Sequence, residues 1–246
     1  MGRKYKPDPL IIALIAFEIL LVFLYIGNWT VGRPYTKLNH LTDLDGEASI
    51  CCWFSVVQLS LVAMITSVIA FARFDRNKLI SWTIIGIPVI FFLLSMDEHI
   101  QIHEWLGVRS DVFLKGGSRL NTPYRKTGIW AFLIGIPFMA FFLTYIYLLK
   151  KYVGSIFNFR IFTFGTLVFL GGAMTHDMFN NIYPDTNTLS GIIIISLEEF
   201  LEMFGITIIL AGMLDTLKSI LQYQRNEIKS VPPQKSEHLL RDDLKK

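Results

Sequence analysis

Long apolar blocks limit what this chain can become. Six runs of residues, 9–27, 50–72, 79–96, 128–149, 161–179 and 189–214, are almost wholly apolar. Each is close to the roughly 20 residues that carry a helix across a hydrocarbon core about 30 Å thick. Short connections join them, and residues 1–221 read as one membrane domain. The composition agrees: 52% of the residues are hydrophobic and only 17% charged, against roughly a quarter charged in soluble chains. The expected fold is therefore all-α, a polytopic membrane bundle of about six transmembrane helices.

The first run follows Arg3, Lys4 and Lys6, as a secretory signal would. Its apolar stretch is longer than a signal core and "YIGNWTVG" is a poor cleavage site, so it reads as an uncleaved helix. Basic residues are scattered among loops rather than gathered on one face, which argues against a nucleic-acid partner. The two cysteines, Cys51 and Cys52, are adjacent. They offer no CxxC spacing for a zinc ribbon or redox pair and read as small residues at a helix start. Residues 222–246, polar and broken by Pro232 and Pro233, read as a disordered tail.

Loop charge sets the expected orientation. Arg3, Lys4, Lys6, Arg73, Arg76, Lys78, Lys150, Lys151, Arg160, Lys218, Arg225 and Lys229 fall on one side; Arg33, Lys37, Arg109, Lys115, Arg119, Arg125 and Lys126 fall on the other. The first side is richer, which places both termini in the cytoplasm of a cell bounded by this, the plasma, membrane. The loop 105–127 is the dissenting segment.

With that orientation the ionisable residues gather in the outer half. Glu47 precedes the second span; Asp97, Glu98, His99, His103 and Glu104 end the third; His176, Asp177 and Asn180 end the fifth; Glu198, Glu199 and Glu202 lie within the sixth. An ionisable residue inside a membrane costs several kcal/mol unless paired or hydrated, and marks function by default. At 100° per residue Glu198, Glu199 and Glu202 share one arc, as do His176, Asp177 and Asn180. The third span is less regular. His99 and His103 share one face and Asp97, Gln101 and Glu104 the opposite one, so an intact helix cannot aim them all inward. Rim positions, supporting contacts or local unwinding are the ways out. Glu18 stands alone halfway along the first span, where a neutral carboxyl hydrogen-bonded to a neighbouring helix is expected.

Acidic side chains on one arc repel if all are ionised. No Lys or Arg lies inside a span away from its ends, which leaves protons or a metal cation. Histidines and carboxylates on facing helices suit a divalent transition metal, zinc or iron. The expected ligands are His103, His176, Glu198 and Glu202, with Glu98 or Glu104 as general base or ligand-orienting group. Glu47, Asp97, His99, Asp177, Asn180 and Glu199 complete the candidate pocket. The reading is a metal-dependent membrane enzyme acting on an amphiphilic small molecule at the lipid interface. A proton- or cation-coupled transporter and a non-catalytic membrane subunit are the alternatives.

"LDGEASICCWFS", "MDEHIQIHEWLG" and "EEFLEMFG" together resemble an uncharacterised group of prokaryotic multi-pass membrane proteins with a GE…WFS entry, a DE…HE segment and a late EE..E helix. The resemblance covers about residues 41–205. It implies a membrane fold and points to Glu47, Asp97, Glu98, His103, Glu104, Glu198, Glu199 and Glu202. His99 falls on a position associated with small residues, which favours His103 as the key imidazole. It implies no activity.

Overall fold

Asp8 and Pro9 start the first helix, α1 (Pro9–Thr30): the Asp8 carboxylate accepts from Leu10 N at 3.0 Å, and proline's missing N–H costs nothing in a first turn. The structure is a computed structural model that describes residues 8–74, 79–114, 116–120, 122, 129, 131–153, 158–179 and 187–230. Within these, the side chains of 79–80, 103–104, 131, 152–153, 174–179 and 227–230 lie outside the description. After α1 come the short α2 (Thr36–Thr42), α3 (Ile50–Ala72), α4 (Leu79–Ile100), α5 (Ile102–Ser110), α6 (Ile136–Val153), α7 (Phe159–Phe179) and α8 (Leu189–Ser230). A π-helical turn, Ala131–Gly135, leads into α6. Among the described residues there is no strand, and the molecule is the all-α bundle that the apolar pattern predicts.

Four of the described helical segments, Pro9–Thr30, Ile50–Ala72, Ser81–Ile100 and Phe132–Lys151, are long and apolar enough to cross a membrane. Phe159–Ala173 is a shorter apolar helix. The apolar part of α8 carries the three glutamates Glu198, Glu199 and Glu202, which lower its hydropathy where the site is built. Each expected span coincides with a helix, but two boundaries differ from expectation. α4 runs to Ile100 and stops at Gln101. α8 continues to Ser230, past residue 222 where the sequence suggests a disordered tail; residues 231–246 lie outside the described ones.

α3 and α8 form the centre of the bundle. α4 packs on α3, α7 and α1 pack on α8, and α6 lies between α4 and α7. The larger core joins all of these except α2 and α5, with Val62, Ile69, Ile206, Ile209, Leu210 and Met213 fully buried. A smaller core above it gathers Leu21, Tyr25, Phe54, Ile192, Ile195 and Met203 from α1, α3 and α8.

Glycine sets the closest approach. A β-carbon on Gly205 of α8 would lie 2.7 Å from Phe169 Cα of α7, and one on Gly172 of α7 would lie 2.9 Å from Glu202 N of α8. Small residues that let backbones touch are how helices associate where lipid removes the hydrophobic drive between them. The seam fixes the register of α7 against α8 and brings the end of α7 that carries His176 to the level of the α8 glutamates.

Candidate functional site

The acidic segment "MDEHIQIHEWLG" does not form one helix. Gln101 adopts a left-handed conformation, φ 61° and ψ 43°, between α4 and α5. Its N–H donates to Asp97 O at 2.7 Å, and its carbonyl accepts from Trp105 N at 3.0 Å. The chain therefore turns without losing these backbone bonds. Of the three ways out of the facing conflict, the molecule uses unwinding. Asp97, Glu98 and His99 belong to α4, while His103 and Glu104 belong to the first turn of α5.

On α4, Asp97 and Glu98 are half-buried and His99 is exposed. His99 is thus a surface residue rather than part of an inward HxxxH pair, because Gln101 breaks the spacing on which that pair depends. The backbones of His103 and Glu104 lie in α5, and those of His176 and Asp177 in the last turns of α7; their side chains, and all of Asn180, lie outside the described residues. Glu47 is exposed in the turn before α3.

What the described side chains do bring together is a group of acids around the first turn of α3. Ser49 caps that helix, its hydroxyl accepting from Cys52 N at 3.1 Å. The cap seats both cysteines in the interior: Cys51 is 1% exposed and Cys52 9%. The Cys51 thiol lies 3.7 Å from Glu199 Oε2 and 3.7 Å from Met203 Sδ, both on α8. The Cys52 thiol donates to the carbonyl of Glu98 on α4 at 3.5 Å. Glu199 has Glu202, Glu98 and Asp45 within electrostatic range, and Glu47 acts on Cys52 from the rim. Two helices, α4 and α8, and the turn before α3 thus converge their acids in one half of the bundle.

The arc of α8 glutamates is divided between two neighbours. Glu199 faces α3 through Cys51. Glu202 lies against Gly172 of α7, whose β-carbon would meet Glu202 Cγ at 2.8 Å and Glu198 O at 3.0 Å. Glu198 is buried, 6% exposed. Among the described residues, no three His, Cys, Asp or Glu side chains form a group that could hold a metal ion. Of the expected set, Glu198 and Glu202 belong to α8, and the side chains of His103 and His176 lie outside the described residues.

A second polar layer lies deeper and was only half anticipated. Glu18 of α1, Gln58 of α3 and Thr207 of α8 meet with exposures of 0%, 0% and 1%. Gln58 Nε2 donates to Glu18 Oε1 at 2.8 Å and to Thr207 Oγ1 at 2.8 Å, and the Thr207 hydroxyl donates to the same Glu18 oxygen. The helix-to-helix hydrogen bonding expected of Glu18 is present. Its partners were not foreseen, although Gln58 follows Cys51 by two helical turns and Thr207 follows Glu199 by just over two, which puts each pair on one face. An apolar cavity of about 250 Å³ between α1 and α2, lined by Phe23, Leu24, Gly27, Tyr35 and Leu38 among others, is separate from both layers.

Comparison with known proteins adds one finding: the model of a family described as "Domain of unknown function (DUF8692)" matches residues 11–217. No curated protein and no solved structure matches the chain.

Proposed function

Because the chain belongs to a family defined as a domain of unknown function, DUF8692, we propose its role from the site: a membrane protein that works by binding a cation in a one-sided carboxylate pocket. One observation carries the reading. Glu98 of α4 and Glu202 of α8 both bear on Glu199, beside the buried Cys51, in a bundle whose spans hold no Lys or Arg away from their ends. In a medium of low dielectric such a group requires compensating positive charge.

The cation in the enzyme reading is a divalent transition metal, zinc or iron, with His103 and His176 added to Glu198 and Glu202, and Glu98 or Glu104 as general base. It would serve as a Lewis acid towards an amphiphilic substrate entering from the lipid interface. The second reading is a transporter or relay that holds protons on the same acids. It is favoured by the carboxyl of Glu18 two turns deeper, hydrogen-bonded between α1, α3 and α8. Six spans, a plasma-membrane location and cytoplasmic termini belong to the same proposal.

Elemental analysis of detergent-purified protein, loaded in metal-supplemented medium, separates the two. A near-stoichiometric transition metal in the wild type, lost in both His103→Ala and Glu202→Gln, establishes the metal enzyme reading. A folded wild type without bound metal sinks it and leaves the proton reading, to be followed by proton flux in liposomes.

A further inference from the structure

The layer formed by Glu18, Gln58 and Thr207 has a proton count that the pocket above it does not explain. The Gln58 amide has two hydrogens, directed one to Glu18 and one to Thr207. The hydrogen of the Thr207 hydroxyl goes to Glu18 as well. All three donor hydrogens are thereby engaged. Two acceptors remain without a partner, Glu18 Oε2 and Gln58 Oε1, both fully buried.

An ionised carboxylate here would have only two neutral donors, both on one oxygen. The effective cost of burying such an ion is several kcal/mol. The groups packed on it offer no charge to offset this. α3 contributes Gln58 and α8 contributes Thr207, both neutral, and among the described residues no ionic side chain bears on Glu18. The nearest titratable groups along those helices are Glu202 and Glu199 on α8 and Cys51 and Cys52 on α3, more than a turn away. Leu21, Phe54 and Met203 are buried between the two layers.

We propose that Glu18 is a proton-binding site, carrying an exchangeable proton on Oε2 at mid-depth between α1, α3 and α8. Oε1 already accepts twice, so the proton goes to Oε2. No hydrogen bond locks it there, so its departure breaks none. A glutamine at position 18 would meet the same neutral packing and add a donor for Gln58 Oε1. What a carboxyl alone brings is titration. The site stands apart from the cation pocket and survives either outcome there.

Infrared difference spectra of the full-length protein in lipid, wild type minus Glu18→Gln, in H2O and after long exchange in D2O, test the proposal. The expected result is a carboxylic C=O band lost in the variant and moved to lower frequency by D2O. Loss of a carboxylate band instead shows an ionised Glu18 and overturns it. A carboxylic band unmoved after days in D2O shows a fixed structural carboxyl and overturns the exchange. Should Glu18→Gln not fold, Glu18→Asp keeps the carboxyl on a shorter stem and is expected to move the band rather than remove it; an unchanged band would assign it elsewhere and overturn the proposal. Glu199→Gln leaves this band in place, which keeps the test independent of the pocket.

Discussion

Among the described residues Glu18 has no charged partner and Glu199 sits among acids, yet both are held by side chains that read as ordinary core. Gln58 is the clearest case. It is fully buried, and its amide is what joins α1 to α8 through α3. Removing a buried donor leaves the acceptor it served desolvated, at a cost of about 1–3 kcal/mol. Gln58→Leu is therefore expected to lose about that much stability, and Gln58→Glu, which adds a second acid, at least as much. Thermal unfolding in detergent reads both. Thr207→Val removes one donor and is expected to fall at the low end. If Gln58→Leu were as stable as wild type, the three side chains would be neighbours without being a bonded unit.

At the scale of helices the seam between α7 and α8 and the break at Gln101 do most to position the site. Gly205→Ala places a methyl 2.7 Å from Phe169 Cα, and overpacking of this kind costs about 1–3 kcal/mol. A fall in unfolding temperature, with helix content kept, is the expected outcome. Gln101→Gly relieves a left-handed backbone that costs a side-chain-bearing residue roughly 1–2 kcal/mol; part of that is lost again to the flexibility of glycine in the unfolded chain. A gain of up to about 1 kcal/mol is expected, and Gln101→Val should be less stable than wild type. These two elements also show what the sequence made legible. Apolar runs of membrane length located every long helix, because hydropathy is a sum over many residues and tolerates local exceptions. A turn made by one glutamine in an unusual conformation is not a sum, and nothing in "HIQIH" announces it. The gathering of acids from the turn before α3, from α4 and from α8 was readable from depth along each span. That Cys51 would be the contact of Glu199 was not, since depth along a span does not say which faces of α3 and α8 meet.

For the whole molecule, the start of α1 and the later part of α8 are tied together. Asp8, the cap of α1, pairs with Lys218 of α8, and the Lys218 ammonium, with the Leu10 N–H, holds its carboxyl below the ordinary value of 3.8. A depressed acid stabilises the fold above its unfolded value and loses that contribution as pH falls through the folded one. The pair is therefore fully in place at neutral pH and is released only below about pH 4. It is exposed, so its effect is small and screened by salt. The expectation is that Asp8→Asn and wild type differ at pH 7 in low salt and become alike in acid or in high salt, as read by thermal unfolding.

The single left-handed residue at Gln101 gives the site a wrist. On its α4 side the chain is fastened to α3, where the Ser60 and Ser95 hydroxyls meet at 2.9 Å. On its α5 side the short helix that carries His103 and Glu104 hangs from one pair of dihedral angles and is steadied by the Asp111–Arg119 pair. The direction that α5 takes from the end of α4 is thus set at one residue, outside every long helix.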